Sequence, residues 1–197
     1  MKTFCLAALS MAAAFAGTLE QGERDRAMSH LHATRKMFLD SVDGLSEAQW
    51  TFKPGPDRWS IAECAEHIAL SEDALFEMLR QTMKSPAAPE KKAAVRGKDE
   101  MILKTLPDRS VKAKAPEMLQ PKRRWPNRAD LLAHFKQSRD RNIAYIQTTE
   151  DDLRSHFTEN PFLKTIDAYQ VMLMLSAHSE RHILQILEVK ADPGFPK

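Results

Sequence analysis

Four stretches of this chain carry apolar residues at the 3.6-residue period of an α-helix, and a long proline-rich segment, residues 85–126, separates the second from the third. No segment alternates apolar and polar residues over a useful strand length, and no internal repeat is present. Glycine is scarce, 6 in 197 residues, whereas the strong helix formers Ala, Leu, Glu, Lys and Met are common. These features give an all-α fold class.

The local signals place each helix. The first runs from about Thr18 to Val42, with Met28, Leu31, Phe38 and Val42 at helical spacing, and Asp43-Gly44 ends it. Ser46-Glu47-Ala48-Gln49 predicts one short turn. The second helix has the clearest start, because Ser60 and Glu63 form a capping box and Trp59 can staple onto Cys64. Its stripe is Ile61, Cys64, Ala65, Ile68, Leu75 and Leu79, and it is expected to reach about Lys84. A short helix is expected at Asp99–Thr105. The third long helix starts from Asn127 as cap, with Asp130 in its first turn and Leu131, Phe135, Asn142 and Ile146 on its period. The fourth is expected from Thr165, with Asp167 in its first turn, to just before Pro193-Gly194.

The separating segment bears on topology. Short links make neighbouring helices antiparallel. A helix of about 25 residues is ~37 Å long, and forty extended residues reach roughly 130 Å, so the chain can return to the starting end before the third helix begins. The second and third helices are then parallel, and an up-down-down-up four-helix bundle with a long crossover between helices two and three is expected.

The first residues read as a leader. One early lysine, Lys2, precedes an apolar run that ends in Ala14-Phe15-Ala16, a small-x-small cleavage site, so residues 1–16 are expected to be a secretory signal peptide removed after Ala16. The apolar run is shorter than the ~20 residues that span a bilayer, so no stable membrane span is expected after cleavage. A secreted or periplasmic location follows. Residues 17–197, about 180 in number, suit one domain with a sizeable core. Of the two cysteines, Cys5 and Cys64, only Cys64 would remain, which excludes an internal disulfide, and its place among apolar helix positions reads as a buried thiol. The formal net charge of +2 gives no global attraction to nucleic acid, and no nucleic-acid partner is expected. Residues 85–125 carry eleven Lys/Arg against five Asp/Glu, which reads as a solvated connection.

The chemistry concentrates in histidines. His178 and His182 lie four apart, on one face of the fourth helix. With Val171 at zero on a wheel of ~100° per residue, His178 falls at about −20° and His182 at about +20°, inside the apolar stripe. Imidazoles facing a core are hydrogen-bonded, neutral or metal-bound. Two of them one turn apart can chelate one ion, and His67, at the core-facing edge of the second helix, can complete a site with open positions. The pair is not the H-E-x-x-H of metalloproteases, because Ser179 stands where the base glutamate belongs. His30, His32, His134 and His156 sit in polar settings and read as surface or capping groups.

Trp59-Ser60-Ile61-x-Glu63-x-x-x-His67, followed a hundred residues later by His178-x-x-Arg181-His182-x-x-Gln185-Ile186, resembles the DinB-like superfamily. The likeness extends to Ala168-Tyr169-Gln170, Ala115-Pro116-Glu117 and Pro121 through Trp125, and so covers most of the chain after the leader. It implies an up-down-down-up four-helix bundle holding a divalent metal ion on His67, His178 and His182; three imidazoles suit zinc, nickel, iron or manganese, and the sequence does not choose among them. The leader departs from cytosolic members of that family.

Two classes of function follow. In the enzymatic one, the metal activates water or a thiol for hydrolysis or S-transfer on a small-molecule substrate, with Glu63 and Ser71, one turn either side of His67, as candidate supporting groups. Ordinary capping is the alternative for Glu63, and a helix-surface hydroxyl for Ser71. Arg181 and Gln185 are candidates to steady the fourth helix or the histidines, with solvent or interhelix pairing as the alternative. In the other class the protein binds metal without catalysis, or forms a homodimer through Met172, Leu173 and Met174, where the fourth helix is apolar nearly all round.

Overall fold

The computed structural model describes residues 18–112 and 114–197, so the expected leader, residues 1–16, lies outside the described residues. The chain forms helices α1 (Gln21–Val42), α2 (Glu47–Thr51), α3 (Ile61–Thr82), α4 (Lys92–Val95), α5 (Lys98–Thr105) and α6 (Arg128–Thr148). A hairpin of β1 (Phe157–Asn160) and β2 (Lys164–Asp167) follows, and then α7 (Ala168–Lys190). The long helices α1, α3, α6 and α7 make the bundle.

Cross-helix contacts fix its directions. Tyr169, at the start of α7, donates to the carbonyl of Glu23 at the start of α1 (2.8 Å), and Lys190 at the end of α7 donates to Ser41 at the end of α1 (2.9 Å). These two helices are parallel. Arg24 near the start of α1 reaches the carbonyls of Ile146 and Thr149 at the end of α6, while Arg128 at the start of α6 reaches Leu45. That pair is antiparallel. Glu72 midway along α3 meets Arg139 midway along α6, with Asp73 beside Ser138, and both helices leave from the same end. His67 early in α3 meets His182 late in α7. The topology is up-down-down-up, with α1 and α3 each packed on both α6 and α7.

The capping signals act as the sequence predicts for α3 and α6. Ser60 Oγ accepts from the Glu63 amide, Glu63 Oε2 accepts from the Ser60 amide, and Asn127 Oδ1 accepts from Asp130 N. Ser46 and Gln49 form a capping box for α2. The end of the fourth long helix is also as expected, but its start is displaced. Asp167, expected in the first turn, is the N-cap, exchanging two hydrogen bonds with Gln170 (2.7 and 3.1 Å). Thr165 instead lies in β2, opposite Glu159 of β1. The strands have four residues each, too short for alternation to show, and their link turns on Asn160, whose Oδ1 accepts from Phe162 and Leu163 amides, and on Lys164 at φ 59°. The chain is therefore helical with one small hairpin beside the bundle.

Two apolar clusters fill the bundle. One gathers Leu31, Leu79, Ile143, Ile146 and the start of α7. The other gathers Phe38, Ile61, Ile68, Phe135, Ile183 and Ile186. Between them every long helix contributes a buried polar residue: Thr34 from α1, Glu72 from α3, Arg139 and Asn142 from α6, and Ser179 from α7. Arg139 Nε and Nη2 donate to both Glu72 oxygens (3.0 and 2.5 Å), and Nη1 donates to the Leu31 carbonyl and Thr34 Oγ1. Asn142 Nδ2 and Ser179 Oγ donate to the remaining capacity of Glu72. Unpaired charges in such a place cost several kcal/mol each, and here both are met from all sides.

The crossover wraps the outside of α7. Ile102 of α5 is fully buried against it. Met172, Leu173 and Met174 are buried beneath these elements within the same chain, which removes the reason for reading them as a dimer face. Among the described residues no helix is long and apolar enough to cross a membrane.

Candidate metal centre

The capped start of α3 sets the phase that turns His67 inward, and α7 presents His178 and His182 one turn apart. The three rings meet in the α3–α7 interface, with centroids 4.3 Å (His67–His182), 4.6 Å (His178–His182) and 5.0 Å (His67–His178) apart. One nitrogen from each lies within 4.8 Å of the others. Among the described residues no carboxylate or thiol belongs to the cluster. Cys64 is wholly buried nearby, and its burial pushes the thiol pKa up, away from the thiolate a metal would need.

Two of the rings are oriented by hydrogen bonds on their outer nitrogen. His67 Nδ1 lies 2.7 Å from the Leu119 carbonyl, which only accepts, so the proton sits on Nδ1 and Nε2 is left as a lone pair. His182 Nδ1 lies 3.0 Å from Gln185 Oε1, with the same consequence. His67 Nε2 and His178 Nε2 are 3.3 Å apart. Two nitrogen ligands of one tetrahedral ion at ~2.0–2.1 Å are separated by about 3.3–3.4 Å, so the spacing fits a shared cation. The Nδ1 of His178, the nitrogen not turned to His67, is sealed from solvent with no hydrogen-bond partner among the described residues.

Electrostatics agrees with the donor set. Burial lowers the pKa of all three imidazoles. His178 is taken down to about 3, by burial first and then by His67 and Arg181. His182 falls well below its ordinary value through burial and the other two histidines. Burial lowers His67, against the Leu119 hydrogen bond, which raises it. Neutral imidazoles are the form that binds metal, so at pH 7 no proton has to leave first. Trp59, just before the α3 cap, closes one side, its ring 5.0 Å from His67 and 6.0 Å from His182.

The supporting groups differ from those the sequence suggested. Glu63 is spent on the cap of α3 and on Lys53 (3.0 Å), which is the capping alternative. Ser71 is buried rather than on the helix surface, and its Oγ donates to the backbone carbonyl of His67 (2.7 Å), not to an imidazole. Ser179, in the position of the missing metalloprotease glutamate, joins the Arg139–Glu72 layer (2.8 and 3.1 Å). Gln185 does steady His182, and Arg109 in turn holds Gln185 Oε1 (3.1 Å) while pairing with Glu188 (2.7 Å). Arg181 pins the crossover through the carbonyls of Leu106, Asp108 and Val111.

The other histidines are not drawn into the cluster. His134 is half-buried, paired with Asp73 (2.7 Å) against the Trp125 ring, and His156 is half-buried with Nδ1 on the Ser85 carbonyl (2.6 Å). Both are therefore structural ties rather than plain surface groups. Gln185 was within reach of sequence reasoning, being one turn after His182. Leu119 was not, because a backbone carbonyl leaves no mark on residue type.

A four-helix bundle of up-down-down-up order, with three inward histidines on two of its helices, defines a class of helical proteins with a candidate metal centre. The model of the DinB superfamily matches residues 30–186, and the chain belongs to that superfamily. It is similar to the uncharacterized protein YuaE of Bacillus subtilis (strain 168), with 23% identity over 163 residues, covering 83% of this chain and 96% of that protein. Among solved structures it is similar to YfiT from Bacillus subtilis, described as a probable metal-dependent hydrolase with an unusual four-helix bundle topology. That likeness has a TM-score of 0.61 at 12% identity, covers 91% of this chain and 92% of the other, and concerns the fold.

Proposed function

We propose that His67, His178 and His182 hold one divalent cation and that the protein is a metal-dependent enzyme acting on a small molecule, by hydrolysis or by transfer to a thiol. The observation that carries this reading is the convergence of three neutral imidazoles with two outer nitrogens fixed by Leu119 and Gln185. A divalent cation on three such ligands supplies a Lewis acid with open positions and brings the ionisation of water or a thiol toward neutral pH. The chain's own residues orient and exclude. Leu119 and Gln185 keep the protons of His67 and His182 on the outer nitrogens, and Trp59 screens the rings from solvent. Among the described residues no carboxylate belongs to the cluster, so no side-chain base is part of the proposal.

The burial of His67 and His182 favours a second reading, a metal site that serves stability alone. Elemental analysis of the purified protein beside His178→Ala separates the possibilities. One divalent ion per chain in the wild type and none in the variant is expected, and equal content would sink the site. Loss of metal with the fold intact, together with loss of activity in a hydrolysis and thiol-transfer screen, favours catalysis. Loss of fold with the metal favours the structural role. Export is part of the proposal only through the leader at residues 1–16.

A further inference from the structure

Glu66 precedes His67 on α3 and is 4% exposed, yet among the described residues it pairs with no cationic side chain. Its carboxylate instead accepts three consecutive backbone amides of the crossover: Oε1 from Lys122 (2.9 Å) and Arg124 (3.1 Å), Oε2 from Arg123 (2.9 Å). A residue in the left-handed region lets successive N–H groups turn to one anion, and Arg123 takes that conformation at φ 58°. A residue with a Cβ resists that conformation. The carboxylate and the turn therefore hold each other, and each has a buried charge or a strained backbone to lose by parting.

Three residues upstream on the same strap is Leu119, whose carbonyl fixes the proton of His67. Glu66 and His67, adjacent on one helix, thus grip the crossover at two neighbouring points. The grip on Leu119 sets the tautomer of a histidine of the cluster, and the grip at 122–124 lies three residues further along the same strap. The short turn Glu117–Leu119 that carries the first grip is further tied by Arg124 Nη2 on the Met118 carbonyl (2.7 Å).

We propose that Glu66 is a positioning residue of the metal centre: by clamping the backbone of residues 122–124 it holds the Leu119 carbonyl on His67 Nδ1 and so directs His67 Nε2 into the cluster. This inference rests on the metal-site reading for its affinity consequence, but its link from Glu66 to the His67 tautomer stands without a metal.

The test uses the full chain. Histidine ¹⁵N–¹H correlation spectra of the metal-free protein report the tautomer of His67, with His182, held by Gln185, as an internal reference. Zinc affinity is read by competition with a chromophoric chelator. Glu66→Gln places an amide donor against the 122–124 amides. Arg123→Pro removes the middle N–H and forbids φ 58° at an exposed position, so it breaks the clamp from the strap side without touching the core. Arg123→Gly keeps the N–H and relieves the backbone. Glu66→Gln and Arg123→Pro are expected to lose the pure Nδ1–H form of His67, leave His182 unchanged, and weaken zinc about tenfold or more, while Arg123→Gly keeps both properties. An Arg123→Pro protein with the His67 tautomer retained and zinc affinity within twofold of the wild type overturns the proposal. If Glu66→Gln fails to fold, Arg123→Pro decides. If the wild type binds none of zinc, nickel, iron(II) and manganese(II), the metal-site reading fails, and the tautomer alone decides for Glu66.

Discussion

Replacing Arg139 by Met removes the cation at the centre of the bundle while keeping most of the side chain's length. Both partners of the Arg139–Glu72 pair are fully inaccessible to solvent, at 2.5 Å. Glu72 would keep only Asn142 Nδ2 (2.9 Å) and Ser179 Oγ (3.1 Å) as donors, and the Leu31 carbonyl and Thr34 hydroxyl would lose theirs. Leaving one member of a buried pair uncompensated costs about 3–5 kcal/mol. For a chain of this size 1 kcal/mol corresponds to roughly 2–4 °C in Tm, so Arg139→Met is expected to lower Tm by about 6–20 °C. The double variant Glu72→Met/Arg139→Met removes both charges, and it should lose less than the sum of the two single variants by ~1–3 kcal/mol. Urea unfolding and calorimetry of the four proteins of this cycle, all metal-free, measure both effects. An Arg139→Met protein within 2 °C of the wild type, or single effects that simply add, would refute the account of a mutually dependent polar layer.

Two further outcomes concern the histidine cluster. The metal-free protein should lose stability as pH falls below about 6.5, because the unfolded imidazoles take up protons there while folded His178, lowered to about 3, does not. The loss amounts to at most about 1.4 kcal/mol per pH unit for each such histidine, and Tm measured in chelator from pH 7.5 to 5 should fall more steeply in the wild type than in His178→Ala; equal slopes would contradict it. Gln185→Ala leaves His182 Nδ1 without its acceptor while Arg109 keeps Glu188, and zinc affinity should drop by about tenfold with Tm of the metal-free protein little changed, whereas unchanged affinity would remove Gln185 from the site.

Residues Ser60, Glu63, Asn127 and Asp130 show why so much of the architecture was legible. A cap acts over three residues, so its partners are neighbours in sequence and the helix start is written locally. The same holds for His178 and His182, whose shared face follows from helix geometry alone. The start of α7 fails by this standard for an equally physical reason. Asp167 and Gln170 also make a capping box, but the two residues before them pair with β1, and that pairing depends on Asn160 and the turn at Lys164 rather than on any periodicity in Thr165-Ile166. His134 and His156 looked like surface groups because their partners, Asp73 and the Ser85 carbonyl, are 61 and 71 residues away.

The sequence by itself therefore determined the four long helices, the caps of α2, α3 and α6, the place of the histidine pair inside an apolar stripe and, through the length of residues 85–126, the room for a parallel return. Only the tertiary structure decided what surrounds the histidines. Leu119 on His67, Arg109 on Gln185, the amides of Lys122–Arg124 on Glu66 and the Arg139–Glu72 pair all join residues more than 50 positions apart. Most of them use backbone groups that every residue carries, or charges that look solvated until four helices close around them. Periodicity records which face of a helix is buried; it does not record what that face will meet.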